Sequence, residues 1–308
     1  MRRASVDAVS LLALCGCGFM ASTGDPLVEA HRAAAAEFPQ NGLAAVRNTV
    51  AKGYEGIEFD VVLTQDLVPV ISHDPWLDYR FCTGSDGSRL SGEESARVLI
   101  GDLTLDALTR DFVCGGLVES AMPGAAVIAE PLMTLAQLLE ELRPSPQMLV
   151  HIDVKCEPGM TEGPEVFASQ ILDVWKSAAL PNPWYVSANT TETVRAFEAR
   201  SIEFAGGVPT SAVWPRFPVG ADMNQVALMS ELVATLGFTH LLAIIEDAGA
   251  DGIAIPFQVA DRAAIQSVRD AGYAVQLWTL NSRALLAEYC EWPLDGIITD
   301  MPGEAPCR

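Results

Sequence analysis

From about residue 26 onward, the sequence alternates between short apolar runs and longer amphipathic segments, and this alternation restricts the folds open to the chain. Apolar runs separated by helical patterns are typical of parallel βα units. Eight runs qualify as strands, namely Leu27–His31, Gly56–Leu63, Met148–Val154, Trp184–Ser187, Glu203–Val208, Gly252–Ile255, Ala274–Thr279 and Gly296–Thr299. Eight strands in one α/β series favour a closed (β/α)8 TIM barrel over an open sheet.

The amphipathic segments between these runs predict the helices of the barrel. They span Leu43–Lys52, Thr134–Leu142, Glu165–Ser177, Thr191–Arg200, Gln225–Leu236, Asp261–Ala271 and Arg283–Tyr289. For the first of them, we predict that Asn41 is the N-cap and that Gly53 ends the helix.

One stretch breaks the alternation of strands and helices. Between His73 and Thr134 the chain is rich in Gly, Ser, Asp and Thr and contains no clear pair of strand and helix. We predict an insertion of about residues 75–133 after the second strand, forming a small subdomain or lid near the mouth of the barrel. The alternative is a long loop that only covers apolar surface.

The first 25 residues have the pattern of an export signal. Two arginines precede an apolar stretch from Ala8 to Leu14, and small residues and cysteines follow. We predict a signal peptide or lipoprotein signal over residues 1–25 and the barrel over residues 26–308. The four residues that end at Cys17 resemble a bacterial lipobox, which would make Cys17 a lipid anchor; export without a lipid is the alternative. The mature protein is expected to be periplasmic, membrane-anchored or secreted, and a cytosolic product is less favoured.

Charge and cysteine content restrict the partners. The chain has 40 acidic and 19 basic side chains, hence a net charge of −21. Such an excess argues against nucleic acid as a partner, because binding would need a basic surface. No segment after the N-terminus has the roughly 18 apolar residues of a membrane span. Cys82 and Cys114 lie in the predicted insertion and could form a disulfide in an oxidising compartment.

Three acidic residues on two predicted strands form a candidate metal site. Glu58 and Asp60 are two positions apart and share one face of a strand, while Asp153 lies near the end of another apolar run. Buried carboxylates need a cation or strong donors, and an oxygen-only set suits Mg2+ or Ca2+ better than zinc. Lys155 shares the face of Asp153 and would bind an anion. The alternatives are an exposed edge or arginine pairs for the first two carboxylates, and a solvent-exposed Lys155.

Two of the four histidines lie at the ends of apolar runs. A lone histidine usually has a structural role. However, His31 and His73 flank the carboxylate cluster in sequence, and phosphodiester cleavage needs one proton removed from the nucleophile and another delivered to the leaving oxygen. We expect His151 to point away from the face of Asp153, and we assign no role to His240.

In chain order, these residues resemble the motifs of the glycerophosphodiester phosphodiesterase family. The matching segments are His31-Arg32, Pro39-Gln40-Asn41, Glu58-Phe59-Asp60-Val61 with Thr64 and Asp66, His73-Asp74-Pro75, Asp153-Val154-Lys155, Trp278-Thr279-Leu280-Asn281 and Gly296-Ile297-Ile298-Thr299-Asp300-Met301-Pro302. The resemblance implies a (β/α)8 barrel with a divalent metal at its mouth. It also implies a small-molecule glycerophosphodiester substrate, hydrolysed to glycerol phosphate and an alcohol. The implied roles are metal binding for Glu58, Asp60 and Asp153, acid and base catalysis for His31 and His73, phosphate contact for Arg32 and Lys155, and an aromatic pocket wall for Trp278.

Four positions depart from the family pattern. Ala33 and Leu67 stand where the family has glycine, Gln40 where it has a glutamate before the asparagine, and Asp153 where it usually has Glu. The shorter Asp153 requires a shifted metal, an intervening water or a weaker affinity. All primary charge types remain, which favours an active enzyme. Two alternatives stay open: a lyase that resembles the sphingomyelinase D branch and yields a cyclic phosphate, and a non-catalytic envelope protein that binds a phosphodiester or a cation.

Overall fold

A closed barrel of eight parallel strands forms the centre of the molecule. The computed structural model describes residues 24–204, 207–214 and 238–307. The strands are β1 Leu27–Ala30, β2 Gly56–Leu63, β3 Pro69–Ile71, β4 Cys82–Gly84, β5 Phe112–Cys114, β6 Leu149–Val154, β7 Trp184–Ala188, β8 Thr210–Val213, β9 Gly252–Pro256, β10 Ala274–Trp278 and β11 Gly296–Thr299. The barrel order is β1-β11-β10-β9-β8-β7-β6-β2, and pairing of β1 with β2 closes the ring. The predicted (β/α)8 TIM barrel is therefore confirmed.

Helices connect the strands and cover the outside of the barrel. They are α1 Leu43–Lys52, α2 Leu105–Asp111, α3 Leu135–Glu141, α4 Pro164–Ala178, α5 Thr191–Ser201, α6 Phe238–Ala248, α7 Arg262–Asp270 and α8 Arg283–Tyr289. Of the predicted helices, Gln225–Leu236 lies outside the described residues, and the others agree with the structure to within one residue at each end. None of the helices in the described ranges has both the length and the apolarity that crossing a membrane requires.

The start of α1 differs from the prediction that Asn41 caps it. The N-cap is Gly42, and Asn41 has a left-handed backbone with φ of 57°. Its side-chain amide donates to Asp60 inside the barrel and so is used outside the helix. Gly53 ends the helix as predicted, because its φ of 64° is one that glycine adopts without steric cost.

The fifth barrel strand begins later than predicted. We expected Glu203–Val208, whereas the strand is Thr210–Val213. The apolar pattern had a different cause, since Val208 and Phe204 pack on the main core from the segment between α5 and β8. β8 itself is weakly apolar because Ser211 points into a polar barrel interior. The other seven predicted strands agree with the structure to within one residue at each end.

Side chains of β2 alternate between two environments, although the whole strand is buried. Ile57, Phe59 and Val61 belong to the apolar core between the barrel and its helices. Glu58 and Asp60 have the opposite orientation and are 2% and 1% exposed. The strand thus holds two carboxylates inside the barrel at the expense of their hydration.

The insertion after β2 is a small subdomain with its own core. β3 pairs antiparallel with β2, and β4 pairs with β5 farther along the chain. Cys82 and Cys114 form a disulfide across this second pair. A second disulfide, Cys290–Cys307, joins the end of α8 to the C-terminal segment and was not anticipated from the sequence.

We predict that the Cys82–Cys114 bond stabilises the insertion. Replacing both cysteines by Ala should lower the free energy of unfolding by about 3 kcal/mol, because the bond restricts the unfolded chain. The two cysteines are 32 residues apart in sequence. Chemical denaturation without reductant measures the effect. Val118→Ala, an exposed position in the same insertion, is the control with an expected change near zero. Equal unfolding midpoints for the cysteine variant and the wild type would contradict the prediction.

Candidate active site

The three predicted carboxylates converge inside the barrel. Asp60 on β2 lies beside Asp153 on β6 in the strand register, and Glu58 is two residues before Asp60 on the same inward face. One oxygen from each of the three carboxylates lies within 4.8 Å of the others. The cluster lies towards the C-terminal end of β6, where barrels of this type have their active sites.

Asp60 is held by donors on three sides. Asn41 Nδ2 donates to its Oδ2 at 2.8 Å, and Lys155 Nζ lies 2.9 Å from its Oδ1. Arg32 Nε forms a longer ion pair at 3.5 Å. Burial alone would raise the pKa of Asp60, but the positive charges of Lys155, of His73 where it is protonated, and of Arg32, together with the amide of Asn41, hold it well below its usual range. Asp60 is therefore ionised.

The surroundings of Glu58 shift its pKa in the opposite direction from that of Asp60. Burial, together with the negative charge of Asp60, raises the pKa of Glu58 to about 8. Its Oε2 accepts one short hydrogen bond, from the backbone N–H of Arg32 at 2.7 Å. A cluster of carboxylates that raises the pKa of one of its own members would be relieved by a cation. The donors fit Mg2+ or Ca2+, because all three are carboxylate oxygens.

His31 follows β1 and is oriented by two polar residues at the opposite end of the chain. Its Nδ1 lies 2.6 Å from Asp300 Oδ1, and its Nε2 lies 4.0 Å from Glu58 Oε2. Asn281 in turn donates its side-chain amide to Asp300 and accepts the Asp300 backbone N–H at 3.0 Å. This arrangement directs Nε2 of His31 towards the carboxylate cluster and keeps Nδ1 on Asp300.

His73 lies just after β3, on the other side of Asp60. The Ser72 N–H donates to the Asp60 carbonyl at 3.0 Å, and His73 Nδ1 lies 2.9 Å from Asp74 Oδ1. The His73 side chain is 39% exposed and so remains open to a ligand. Loss of hydration, together with the positive charges of Arg32 and Lys155, lowers the pKa of His73. In the absence of a bound anion, the ring is therefore mostly neutral at neutral pH, the form that can accept a proton.

The two predicted anion contacts lie next to the carboxylates. Lys155 Nζ bridges Asp153 Oδ2 at 2.5 Å and Asp60 Oδ1 at 2.9 Å. Burial opposes its charge, but both aspartates raise the pKa of Lys155 further, so it remains protonated. Arg32 has a left-handed backbone, with φ of 47°, and its NH1 donates to Gln40 Oε1. Gln40 thus interacts with Arg32 without the charge that the family's glutamate would bring.

Trp278 lies apart from this cluster. It is the last residue of β10 and is half-buried. β11 and β1 separate β10 from β2 around the barrel, so Trp278 lies across the mouth from the carboxylates. The structure thus brings seven of the eight predicted site residues together and leaves the eighth on the far wall.

Sequence reasoning missed or misplaced several groups of the site. The expectation that His151 points away from the face of Asp153 is wrong, because residues two apart on a strand share a face. His151 Nε2 lies 2.7 Å from Ser187 Oγ, which donates to Asp153 at 2.8 Å. Asp300 and Asn281 were present in matching motifs but had no assigned role. Their position at the ends of the last two strands is the feature that could have identified them.

Comparisons with known proteins agree with this architecture. The sequence pattern of the glycerophosphoryl diester phosphodiesterase family matches residues 31–304. "Putative glycerophosphodiester phosphodiesterase YhdW" of Bacillus subtilis is 25% identical over 278 residues, which cover 89% of this chain and 93% of YhdW. A solved structure from Silicibacter pomeroyi has a TM-score of 0.76 at 21% identity and covers 93% of this chain and 94% of its own. A phosphodiesterase from Oleispira antarctica, solved with its product sn-glycerol-3-phosphate, has a TM-score of 0.66 at 20% identity, with coverage of 90% and 94%. Both solved structures share the fold of this chain.

Proposed function

Because the chain belongs to the glycerophosphoryl diester phosphodiesterase family, we propose that it hydrolyses glycerophosphodiesters to glycerol phosphate and an alcohol, using a divalent metal and two histidines. The product bound to the Oleispira antarctica phosphodiesterase, sn-glycerol-3-phosphate, agrees with this reaction. The observation that carries the proposal is the convergence of three carboxylates within 4.8 Å of one another, with His31 Nε2 4.0 Å from Glu58.

Charge neutralisation is the first requirement of the reaction, because negative charge shifts among the phosphoryl oxygens as the P–O bond breaks. Glu58, Asp60 and Asp153 would hold Mg2+ or Ca2+, which supplies positive charge to those oxygens when it is bound. Arg32 and Lys155 add two fixed positive charges beside the same carboxylates. The bound ion, Arg32 and Lys155 would thus attract the negatively charged phosphodiester to a mouth whose three carboxylates alone would repel it.

Proton transfer is the second requirement. One imidazole accepts the proton of the attacking hydroxyl, from water or from the neighbouring glycerol hydroxyl; in the second case a cyclic phosphate forms, and a subsequent attack by water opens it to glycerol phosphate. The other imidazole donates a proton to the oxygen of the departing alcohol. His31 and His73 suit these roles because each has Nδ1 on an aspartate, which leaves Nε2 to exchange the proton. Trp278 would form the far wall of the pocket.

A metal-depleted assay tests the proposal. The substrates are glycerophosphocholine, glycerophosphoethanolamine and glycerophosphoglycerol, with Mg2+ or Ca2+ added back and products followed by phosphorus NMR. We expect glycerol phosphate only when an ion is present. A persistent cyclic phosphate would favour the lyase instead. Ligand binding without turnover on any substrate would favour the non-catalytic binding protein.

Replacing Arg32 by Lys should weaken substrate binding. Lysine offers a single charged group and cannot donate to Gln40 and to a phosphate oxygen in the fixed geometry of a guanidinium. The KM should rise about tenfold, the effect of losing one charge-assisted hydrogen bond. Steady-state kinetics measure it. Arg47→Lys is the control, because Arg47 lies on the surface of α1, where it pairs with Glu141 of α3 away from the site. An equal KM in both variants would argue against phosphate contact by Arg32.

We infer further that the protein is exported. Support comes from two disulfides among the described cysteines, since such bonds persist in oxidising compartments. Residues 1–23, including Cys17, lie outside the described residues. Mass spectrometry of protein expressed from the full gene in a bacterial host tests the inference. Loss of the N-terminal segment is expected, with added lipid mass on Cys17 if the lipobox is used. A full-length cytosolic product would contradict export.

A further inference from the structure

A column of buried polar side chains extends from the interior of the barrel to Asp153. It consists of Glu29 on β1, His151 on β6, and Tyr185 and Ser187 on β7. Glu29, His151, Tyr185 and Ser187 are 1%, 2%, 0% and 0% exposed. His151 lies beside Tyr185 and Asp153 lies beside Ser187 in the strand register, so these four residues occupy two successive inward-facing levels of the barrel.

The hydrogen bonds of the column extend from both sides of the His151 ring. Ser187 Oγ donates to Asp153 Oδ1 at 2.8 Å, and its oxygen must then accept from His151 Nε2, 2.7 Å away. On the other side of the ring, Nδ1 lies 2.8 Å from Glu29 Oε2, and Tyr185 OH donates to the same carboxylate at 3.0 Å. The ring of Tyr185 also stacks on that of His151, with centroids 4.1 Å apart. Glu29 and Tyr185 therefore fix the orientation of the imidazole that fixes Ser187.

Such a column costs stability, because a carboxylate and an imidazole lose their hydration where apolar side chains would pack. Buried polar groups that hydrogen-bond to a metal ligand fix its orientation, which is one function that can offset such a cost. Asp153 is the residue that needs orienting. Its side chain is one methylene shorter than that of glutamate and so has less freedom in where it can meet an ion, and its carboxylate lies beside Ser187 on the neighbouring strand. Its other oxygen, Oδ2, contacts Lys155.

We propose that Ser187 and His151 are positioning residues of the metal site: the column holds Asp153 Oδ1 so that the shorter carboxylate can join Glu58 and Asp60 around one ion. The inference rests on the proposed metal site and goes beyond it, because it assigns metal affinity to residues that do not touch the ion. Loss of the Ser187 hydroxyl should leave Asp153 held only by Lys155 at Oδ2, so that Oδ1 is no longer fixed while the barrel remains folded.

Calorimetric titration of the metal-free protein with Mg2+ and with Ca2+ tests the proposal. Ser187→Ala removes one oxygen atom and should lower the affinity for the ion about tenfold, as expected for a partner of a ligand. Ser211→Ala is a matched control. Ser211 is a serine of the next strand, 1% exposed, and donates to Gln276 at 3.1 Å, outside the column. Its variant should bind the ion with the affinity of the wild type and unfold at the same temperature as Ser187→Ala.

The ion dependence of turnover separates positioning from a general structural effect. Ser187→Ala should need about tenfold more Mg2+ for half-maximal turnover and then reach a kcat within about twofold of the wild type. If Ser187→Ala fails to fold, Ser187→Cys gives the same comparison, because a thiol is a weaker donor of similar size. Unchanged ion affinity in a folded Ser187 variant overturns the inference and leaves the proposed function intact. Failure of the wild type to bind either ion overturns both.

Discussion

Replacing His31 by Gln is expected to lower turnover by about two to four orders of magnitude, the contribution of a positioned acid or base. Glutamine retains a polar side chain but cannot take or deliver a proton at neutral pH. His31 Nε2 is the ring atom that faces the carboxylate cluster, while Nδ1 is occupied by Asp300. The affinity for Mg2+ should change little, because His31 is not one of the three proposed metal ligands. Steady-state kinetics and calorimetry on the same preparation measure the two effects.

The control for this substitution is His240→Gln. His240 lies on α6, where its ring contacts Trp214, and has no part in the proposed chemistry. Its variant should turn over at the rate of the wild type. Turnover of the His31 variant within threefold of the control would refute the role proposed for His31. A parallel loss of Mg2+ affinity would instead indicate that His31 binds the ion.

Replacing Glu58 by Gln is expected to weaken metal binding severely and to abolish turnover. The substitution keeps the size of the side chain and leaves an oxygen that can accept the Arg32 N–H. It removes one of three charged ligands, so the affinity for the ion should fall more than about 100-fold, beyond the range expected for partners of a ligand. Calorimetric titration measures the affinity. Glu55→Gln, on an exposed residue just before β2, makes the same chemical change away from the site and should have no effect.

The same substitution should stabilise the protein when no ion is present. Glu58 is buried beside Asp60 and Asp153, and its raised pKa of about 8 means that at neutral pH folding must either take up a proton on Glu58 or bury a further negative charge, and both lower the free energy of unfolding. In a chelator, Glu58→Gln should therefore unfold at a higher temperature than the wild type. Addition of Mg2+ should raise the unfolding temperature of the wild type but not that of the variant. A lower unfolding temperature for the variant in chelator would show that the cluster is not strained by its charge.

The barrel could be predicted because its pattern is local. In β2, the apolar residues that face the helices flank Glu58 and Asp60, and the strand is apolar enough to be recognised despite the two carboxylates. The predicted position of β8 was wrong because Ser211 of the strand faces a polar interior, whereas Val208, which lies in the connecting segment before the strand, is buried. An apolar pattern reports burial, and burial coincides with a strand only where the interior of the barrel is apolar.

The residue types, their order along the chain and the family resemblance predicted the three carboxylates, the two histidines and the two cations that the structure brings together. For the carboxylates the reason is local, because a carboxylate within an apolar run requires a partner wherever the run folds. The partners themselves depended on the closure of the barrel. Strand pairing brings Asp300 to His31 across 269 residues, where β1 meets β11 as the barrel closes, and Ser187 to Asp153 across 34, where β6 meets β7. It also turns Asn41 away from a helix cap towards Asp60. A hydrogen bond between strands is set by register and distance in three dimensions, so only the tertiary structure decided which polar groups orient the site.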